Sequence, residues 1–549
     1  MQHYDVPGVT VAVFEDYEVV WARGYGLRDV ETEEPVTDTT LFVAGSVSKP
    51  VTAMAALRLV QEGKMSLDDN INTYLTSWKL PDNQFTTKEK ATLRRLLTHS
   101  AGTTVHGFPG YKPGGRVPTL VQILDGKPPA NTPAIRVDVK PGSRWRYSGG
   151  GTTIVQQAMI DIEAKPFPEI MYEKVIEPVG MVRSSFEQEF TPEMQATAAS
   201  GHTGGGRRIP GKRHIYPEMA AAGLWTTATD LARFAIELQR SIRRESNRVL
   251  STEMSQLMVT PQLAVDDGRT MAIGFVLTHG NGYFEHSGGD AGFVCNLVAK
   301  NGGGYGAVVM TNSDRPGNLI AEIVRGIAME YGWEDFLPPL HELVTLSRDQ
   351  LNSLEGRYLL SADNALTIER KADHLSGHET GFDRFDLFPI SETEFIRRDR
   401  RVTYSFSRDG GGKADRVSLH ADADLQTAPR STDGRKIPLE LLLDGEYDKA
   451  LAAYRELKTS NPDDPAIDEE RINMVGYRLM WDRRTKSAVD LFRVNVQLYP
   501  DSYNVYDSLG EGYMELGETG LAIKNYERSI VLNPENTNGR QMLERLRKK

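Results

Sequence analysis

A 34-residue period near the C-terminal end constrains this chain more than any other feature. Counting back from Pro534, the residues Tyr506, Leu509, Gly510, Tyr513, Ala522 and Tyr526 take the aromatic, small and apolar positions of one unit. Counting back from Pro500, the residues Val475, Gly476, Leu479, Ala488 and Phe492 repeat the scheme, and Ala450 and Tyr454 before Pro462 add half a unit. The pattern predicts two helices per unit. Small residues let the paired helices approach, and aromatics fill the groove between pairs. One such unit cannot bury its apolar face alone, so residues 433–549 are expected to stack as an all-α array.

This spacing resembles a tetratricopeptide array of about two and a half units. The resemblance implies a surface for a peptide or partner protein; the alternative is that the array only caps and solubilises the rest. Upstream, residues 336–432 carry short alternating runs, among them Gly356 to Leu360, Ala365 to Arg370 and Val402 to Ser407, each bounded by turn residues. They predict a small antiparallel barrel or sandwich, expected as a lipocalin-like β-barrel in type. In residues 1–335, Val9 to Phe14 and Glu18 to Trp21 read as a hairpin, and a helical pattern runs from Ser46 to Glu62, closed by Gly63. Strands return at Gly274 to Leu277 and within Phe293 to Met310, before a helix from about Asn318 to Tyr331. Strands at both ends with helices between predict an antiparallel sheet assembled from distant parts of the chain, plus a helical lobe. The expected fold class is thus multidomain α+β, with three domains.

Composition narrows the function. A formal charge of −11, with basic pieces such as Arg397 to Arg401 broken by acids or aromatics, argues against nucleic acid. No run approaches the roughly 20 apolar residues of a membrane span. The single cysteine, Cys295, lies in an apolar run and is expected to be a buried strand residue. No metal or cofactor is expected: His341-Glu342 starts an H-E-x-x-H that ends in Thr345, and no glycine run leads into a phosphate loop. No G-x-S-x-G elbow occurs.

Three pieces carry chemistry. Ser46-Val47-Ser48-Lys49 is the one S-x-x-K in the chain. It opens the first long helix, where free N–H groups and a partial charge of about +0.5 gather. Lys49 falls one turn on, on the same face, and Pro50 suits a first turn. Tyr147-Ser148-Gly149-Gly150-Gly151 is read as a glycine-rich loop ahead of a helix from Thr152 to Glu163. His286-Ser287-Gly288-Gly289 leads into the strand Phe293 to Val298.

Together, in this order, they resemble the S-x-x-K, Y-x-[NS] and [KH]-[ST]-G elements of the beta-lactamase-related serine hydrolases. That group includes class C beta-lactamases, penicillin-binding proteins, D-aminopeptidases and family VIII carboxylesterases, peptidase family S12 in type. Val6 to Val9, Leu96 to Gly102 and Gly223 to Thr227 fit as well. The resemblance covers about Asp5 to Met310 and implies a beta-lactamase/transpeptidase-like fold. It implies Ser46 as nucleophile, with Tyr147 or neutral Lys49 as general base. It implies an oxyanion hole from the N–H groups of Ser46 and Gly289, with Ser287, Gly288 and Gly149 around the substrate. Gly149 stands where Asn is usual, and His286 where the lysine of K-T-G is usual. Both departures favour an esterase or D-peptidase over an efficient beta-lactamase. His286 is expected to make the rate titrate between about pH 5 and 8, since a free histidine titrates near 6.5.

The expected substrates are small esters, amides or D-peptides. The competing reading is a non-catalytic scaffold whose barrel and repeats bind a partner. Relatives acting on cell-wall peptides imply work outside the cytoplasm, with the leader absent from this sequence; the alternative is a cytoplasmic enzyme.

Overall fold

The computed structural model describes all residues except 267, 338–339, 383, 399–401, 422–423, 483, 535 and 548–549. The chain forms two compact units, Met1–Leu337 and Pro338–Lys549.

The first unit is built on a nine-stranded sheet. Its N-terminal strands are β1 (Gly8–Glu15), β2 (Glu18–Asp29) and β3 (Glu34–Pro35), and a short β4 (Phe42–Val43) pairs with β5 (Trp225–Thr226) outside the sheet. The later strands are β6 (Leu263–Asp266), β7 (Arg269–Met271), β8 (Val276–Thr278), β9 (Tyr283–Asp290), β10 (Phe293–Lys300) and β11 (Gly306–Thr311). The order β3-β2-β1-β11-β10-β9-β8-β7-β6 is antiparallel throughout, so the first strand of this unit pairs with its last. One face carries Val9, Val11, Val298 and Val309 against the helix Leu319–Tyr331. The other carries Ala12, Phe14, Leu297, Val308 and Met310 into the main core with the helical lobe. Alternation of this kind is what a two-sided sheet requires.

β8 pairs with β9 only through Val276 to Thr278 against Glu285 to Tyr283. Residues 286–290 of β9 therefore have no strand partner on that side among the described residues. This free edge borders the site described below.

At the motifs, two boundaries differ from the sequence expectation. Ser46 lies in a 3₁₀ turn, Gly45–Val47, and the helix α1 proper runs Ser48–Gln61. The three glycines after Ser148 are not a loop but the first turn of the helix Gly149–Glu163, capped by the Ser148 hydroxyl, which accepts from Gly151 N at 3.0 Å. They are glycines for lack of room. A Cβ on Gly150 would lie 2.5 Å from Thr104 O, and one on Gly149 would lie 3.0 Å from the Phe108 ring. The loop can therefore lie on the helix end and take its unpaired donors: Gly149 N–H bonds to His106 O at 2.9 Å, and Gly150 N–H to Val105 O at 3.0 Å.

In the second unit, eight strands pair in chain order from Gly356–Ser361 to Asp424–Pro429 as an antiparallel sheet. It nearly closes: Ser431 N–H bonds to Arg357 O at 2.7 Å, and Tyr358 bridges to Arg430. Helices follow from Pro438–Leu443 to Thr537–Arg547. The small residues of the 34-residue period sit where helices touch: a Cβ on Gly476 would lie 2.3 Å from the Phe492 ring, and one on Gly510 would lie 3.2 Å from the Tyr526 ring. Sheet and helices pack as one unit. Arg471 Nη1 holds both oxygens of buried Asp363 at 2.8 and 2.9 Å, and Tyr454 Oη donates to the same carboxylate.

Truncating Asp363→Ala leaves Arg471 and the buried Tyr454 hydroxyl without this acceptor. We expect it to cost about 2–3 kcal/mol of stability, read by calorimetry. Glu369→Ala, which breaks the exposed Arg384 pair, should cost under about 1 kcal/mol. Equal losses would mean that the Asp363 contact contributes no more than a surface pair.

Candidate active site

The site starts from a turn pinned on several sides. Ala44 N–H bonds to Leu224 O at 2.8 Å, and Leu224 N–H bonds back to the Ser48 hydroxyl at 3.0 Å. From β10, Cys295 Sγ donates to Ala44 O at 3.0 Å. Gly45 takes φ +50°, and a Cβ there would sit 2.8 Å from Gly289 N. On β9, a Cβ on Gly288 would sit 2.0 Å from Ala44 O. Only paired glycines allow the two backbones this close, and the approach brings Gly289 N alongside the turn that carries Ser46.

Lys49 is buried at 4% exposure. Its Nζ donates to Ser46 Oγ at 2.9 Å and to Ala221 O at 2.8 Å, and lies 5.0 Å from the centroid of the Tyr147 ring. Serine, lysine and phenol thus converge from the 3₁₀ turn, from α1 and from the residue before the capping Ser148.

Three imidazoles surround Tyr147, with ring centroids 4.2 Å (His99), 4.8 Å (His106) and 6.3 Å (His286) away. Burial and nearby Lys49 push all three below the usual histidine range. His99 Nδ1 accepts from Ser148 N–H at 3.1 Å, so that nitrogen carries a lone pair. His286 Nδ1 faces Ser287 O at 2.6 Å; a carbonyl only accepts, so the proton sits on Nδ1. His286 Nε2 is then a buried lone pair with no partner among the described residues. The His286 pKa falls to about 3. This runs against the expected titration near neutrality: burial first, and Lys49 beside it, disfavour the charged imidazole through pH 5–8.

Ser46, Tyr147, His286, Ser287 and Gly289 line one cavity of about 490 Å³ along the free edge of β9, with Lys49 behind Ser46. Gly149 and Gly288 do not line it. The Gly149 N–H is spent on His106 O, and Gly288 faces Ala44 and Cys295. Sequence reading missed His99, His106, Phe108 and Trp145 around the phenol, and Arg269 and Glu285 further along the cavity. Period-2 spacing from Ser287 would have drawn attention to Glu285. Nothing local singled out His106. No cluster of three or more His, Cys, Asp or Glu suited to a metal occurs among the described residues. No helix among them is long and apolar enough to cross a membrane.

Two buried acids also lie in this region. Glu218 is fully buried, neither side-chain oxygen has a hydrogen-bond partner among the described residues, and desolvation raises its pKa to about 8. Asp290, hydrogen-bonded by Tyr216, is likewise held well above the carboxylate range by burial. Folded Glu218 keeps a proton that the unfolded chain releases near 4.5, so its effect is to lower stability as pH rises from about 4.5 to 8. His286 works oppositely: the unfolded chain takes up a proton near 6.5, so stability falls as pH drops from 6.5 towards 3. Glu218→Gln should therefore gain stability on wild type between pH 5 and pH 8.5, with a ceiling of about 5 kcal/mol. A melting-temperature difference that does not change with pH would refute it.

Comparison with known proteins places the first unit. The family model described as Beta-lactamase matches residues 1–326. An uncharacterized protein of Mycobacterium tuberculosis is 28% identical over 300 residues, covering 50% of this chain and 73% of that one. The teichoic acid D-alanine hydrolase of Staphylococcus aureus is 23% identical over 233 residues, covering 42% of this chain and 54% of that one. Among solved structures, the octameric penicillin-binding protein homologue from Pyrococcus abyssi superposes with a TM-score of 0.52 at 24% identity, covering 78% of this chain and 97% of that one. With 326 of its 549 residues inside the family match, the chain belongs to the Beta-lactamase family, and its general kind is that of a serine hydrolase.

Proposed function

We propose that the protein hydrolyses esters or D-amino-acid amides and peptides through an acyl-enzyme on Ser46. The observation that carries this reading is Lys49 Nζ, 2.9 Å from Ser46 Oγ and 5.0 Å from the Tyr147 ring centroid, with Ser46 and Tyr147 both on the cavity wall. In the reaction, Ser46 Oγ adds to the carbonyl carbon as its proton passes to the phenolate of Tyr147 or to neutral Lys49. The oxyanion forms between the N–H groups of Ser46 and Gly289, where one such donor contributes roughly 3 kcal/mol. Collapse expels the alcohol or amine, which takes that proton, and leaves an ester on Ser46. Water, deprotonated by the same base, then releases the acid and restores the serine.

The relative that removes D-alanine from teichoic acid supports a D-aminoacyl ester or amide. Such substrates also favour work outside the cytoplasm. Gly149 in place of Asn and a neutral His286 in place of lysine argue for only weak beta-lactam turnover. The C-terminal helices we read as a tetratricopeptide-like array that receives a peptide or partner protein, and the strands before them as a lipocalin-like barrel.

The test is turnover of p-nitrophenyl acetate and butyrate, a D-alanine p-nitroanilide and nitrocefin, with mass spectrometry of the trapped adduct. We expect an ester or the anilide to outpace nitrocefin, the adduct to sit on Ser46, and Ser46→Ala to abolish turnover. Tyr147→Phe should lower kcat by about 10²–10⁴-fold. No turnover together with no labelling of Ser46 would overturn the proposal.

A second expectation concerns pH. Any limb of the rate profile between pH 5 and 8 should keep its midpoint in His286→Gln, whatever the change in rate. A midpoint that vanishes in this variant would show that His286 does titrate there.

A further inference from the structure

Glu285 has no part in the chemistry above, yet it lines the same cavity. It stands two residues before Ser287 on β9, and its neighbours across the sheet, Val276 and Val298, are apolar. The carboxylate makes no hydrogen bond or ion pair among the described residues, although the side chain is half-buried. Desolvation pushes it above the usual carboxylate range, with only Arg269 opposing the shift. Arg269, the one permanent cation on the cavity wall among the described residues, already gives its Nε to Asp266 at 3.0 and 3.1 Å. Burial lowers both His106 and His286 below the usual histidine range, so neither is a permanent cation. The same cavity is lined by the aromatic side chains of Phe108, Trp145 and Tyr147, a kind of surface that also favours a cation.

From these observations we infer that Glu285 is a specificity residue that receives a positively charged ammonium group of the substrate. The strand sets its reach. Four residues at about 3.3 Å each separate Glu285 from Gly289, where the oxyanion forms, so the two Cα atoms stand about 13 Å apart. With the side chain subtracted, the ammonium belongs roughly 8–10 Å from the scissile carbonyl. That is too far for an α-ammonium. It suits an ammonium on a chain of five or six carbons, such as the ω-amine of a diamino-acid residue. The inference rests on the acyl-enzyme reading for the position of the scissile bond, but Glu285 can be tested with or without turnover.

Two matched pairs of esters make the test, one pair varying each side of the scissile bond. The first is p-nitrophenyl 6-aminohexanoate against p-nitrophenyl heptanoate; the second is 6-aminohexyl acetate against heptyl acetate. We expect Glu285→Gln to lower kcat/KM for the cationic member of one pair by about tenfold, and to change the neutral members by less than about twofold. Glu285→Asp should recover part of the loss. If Glu285→Gln treats cationic and neutral members alike in both pairs, the inference is overturned. If wild type turns over none of the esters, the hydrolase reading fails on its own account. Hexylammonium binding by calorimetry, compared with hexanol on wild type and Glu285→Gln, then decides for Glu285: selective loss of the cation supports the inference, and equal binding refutes it.

Discussion

The close approach of two backbones, at Gly45 and Gly288, is the contact on which the rest of the site depends. No side chain fits between Gly288 and Ala44 O. Because β9 presses on this turn, Ser46 stands at the unpaired edge of the sheet, and Gly289 N comes alongside it. The turn is held from the far side by the Leu224 and Ser48 exchange and from β10 by Cys295, the only cysteine of the chain. That cysteine is buried, and its thiol is held protonated by burial, so its use here is packing and a weak hydrogen bond.

Burial also decides the charges. Lys49 is buried, and its named partners are a hydroxyl and a carbonyl. The three imidazoles by Tyr147 are all held below the usual histidine range, by burial first and by Lys49 beside them. Glu218 and Asp290, lacking cationic hydrogen-bond partners, hold their protons instead. Opposite pH dependences from the histidines and the acids leave this region most stable in the mildly acidic to neutral range.

Much of the fold was legible in the sequence because periodicity is a local signal. Alternation in Val9 to Phe14 and Val294 to Val298, the helix stop at Gly63 and the 34-residue spacing of Gly476 and Gly510 each predict an element from neighbouring residues alone. Ser46, Lys49, Tyr147, His286 and Ser287 were legible as three short motifs whose residues the fold draws together. The glycine run after Ser148 misled, since glycine by itself signals a turn. Here its missing Cβ answers a loop that arrives from forty residues earlier in the chain, and that contact is invisible to any local rule.

The sequence by itself determined which segments are strands and helices and which residue types could supply a nucleophile and a base. Propensity, alternation and motif spacing act over a few residues, so one chain read alone suffices for them. Only the tertiary structure decided the protonation of His286, the idleness of Gly149 and Gly288, and the presence of His99, His106 and Glu285 at the cavity. Desolvation and close contact depend on everything packed around a group, and that surrounding is assembled from distant parts of the chain.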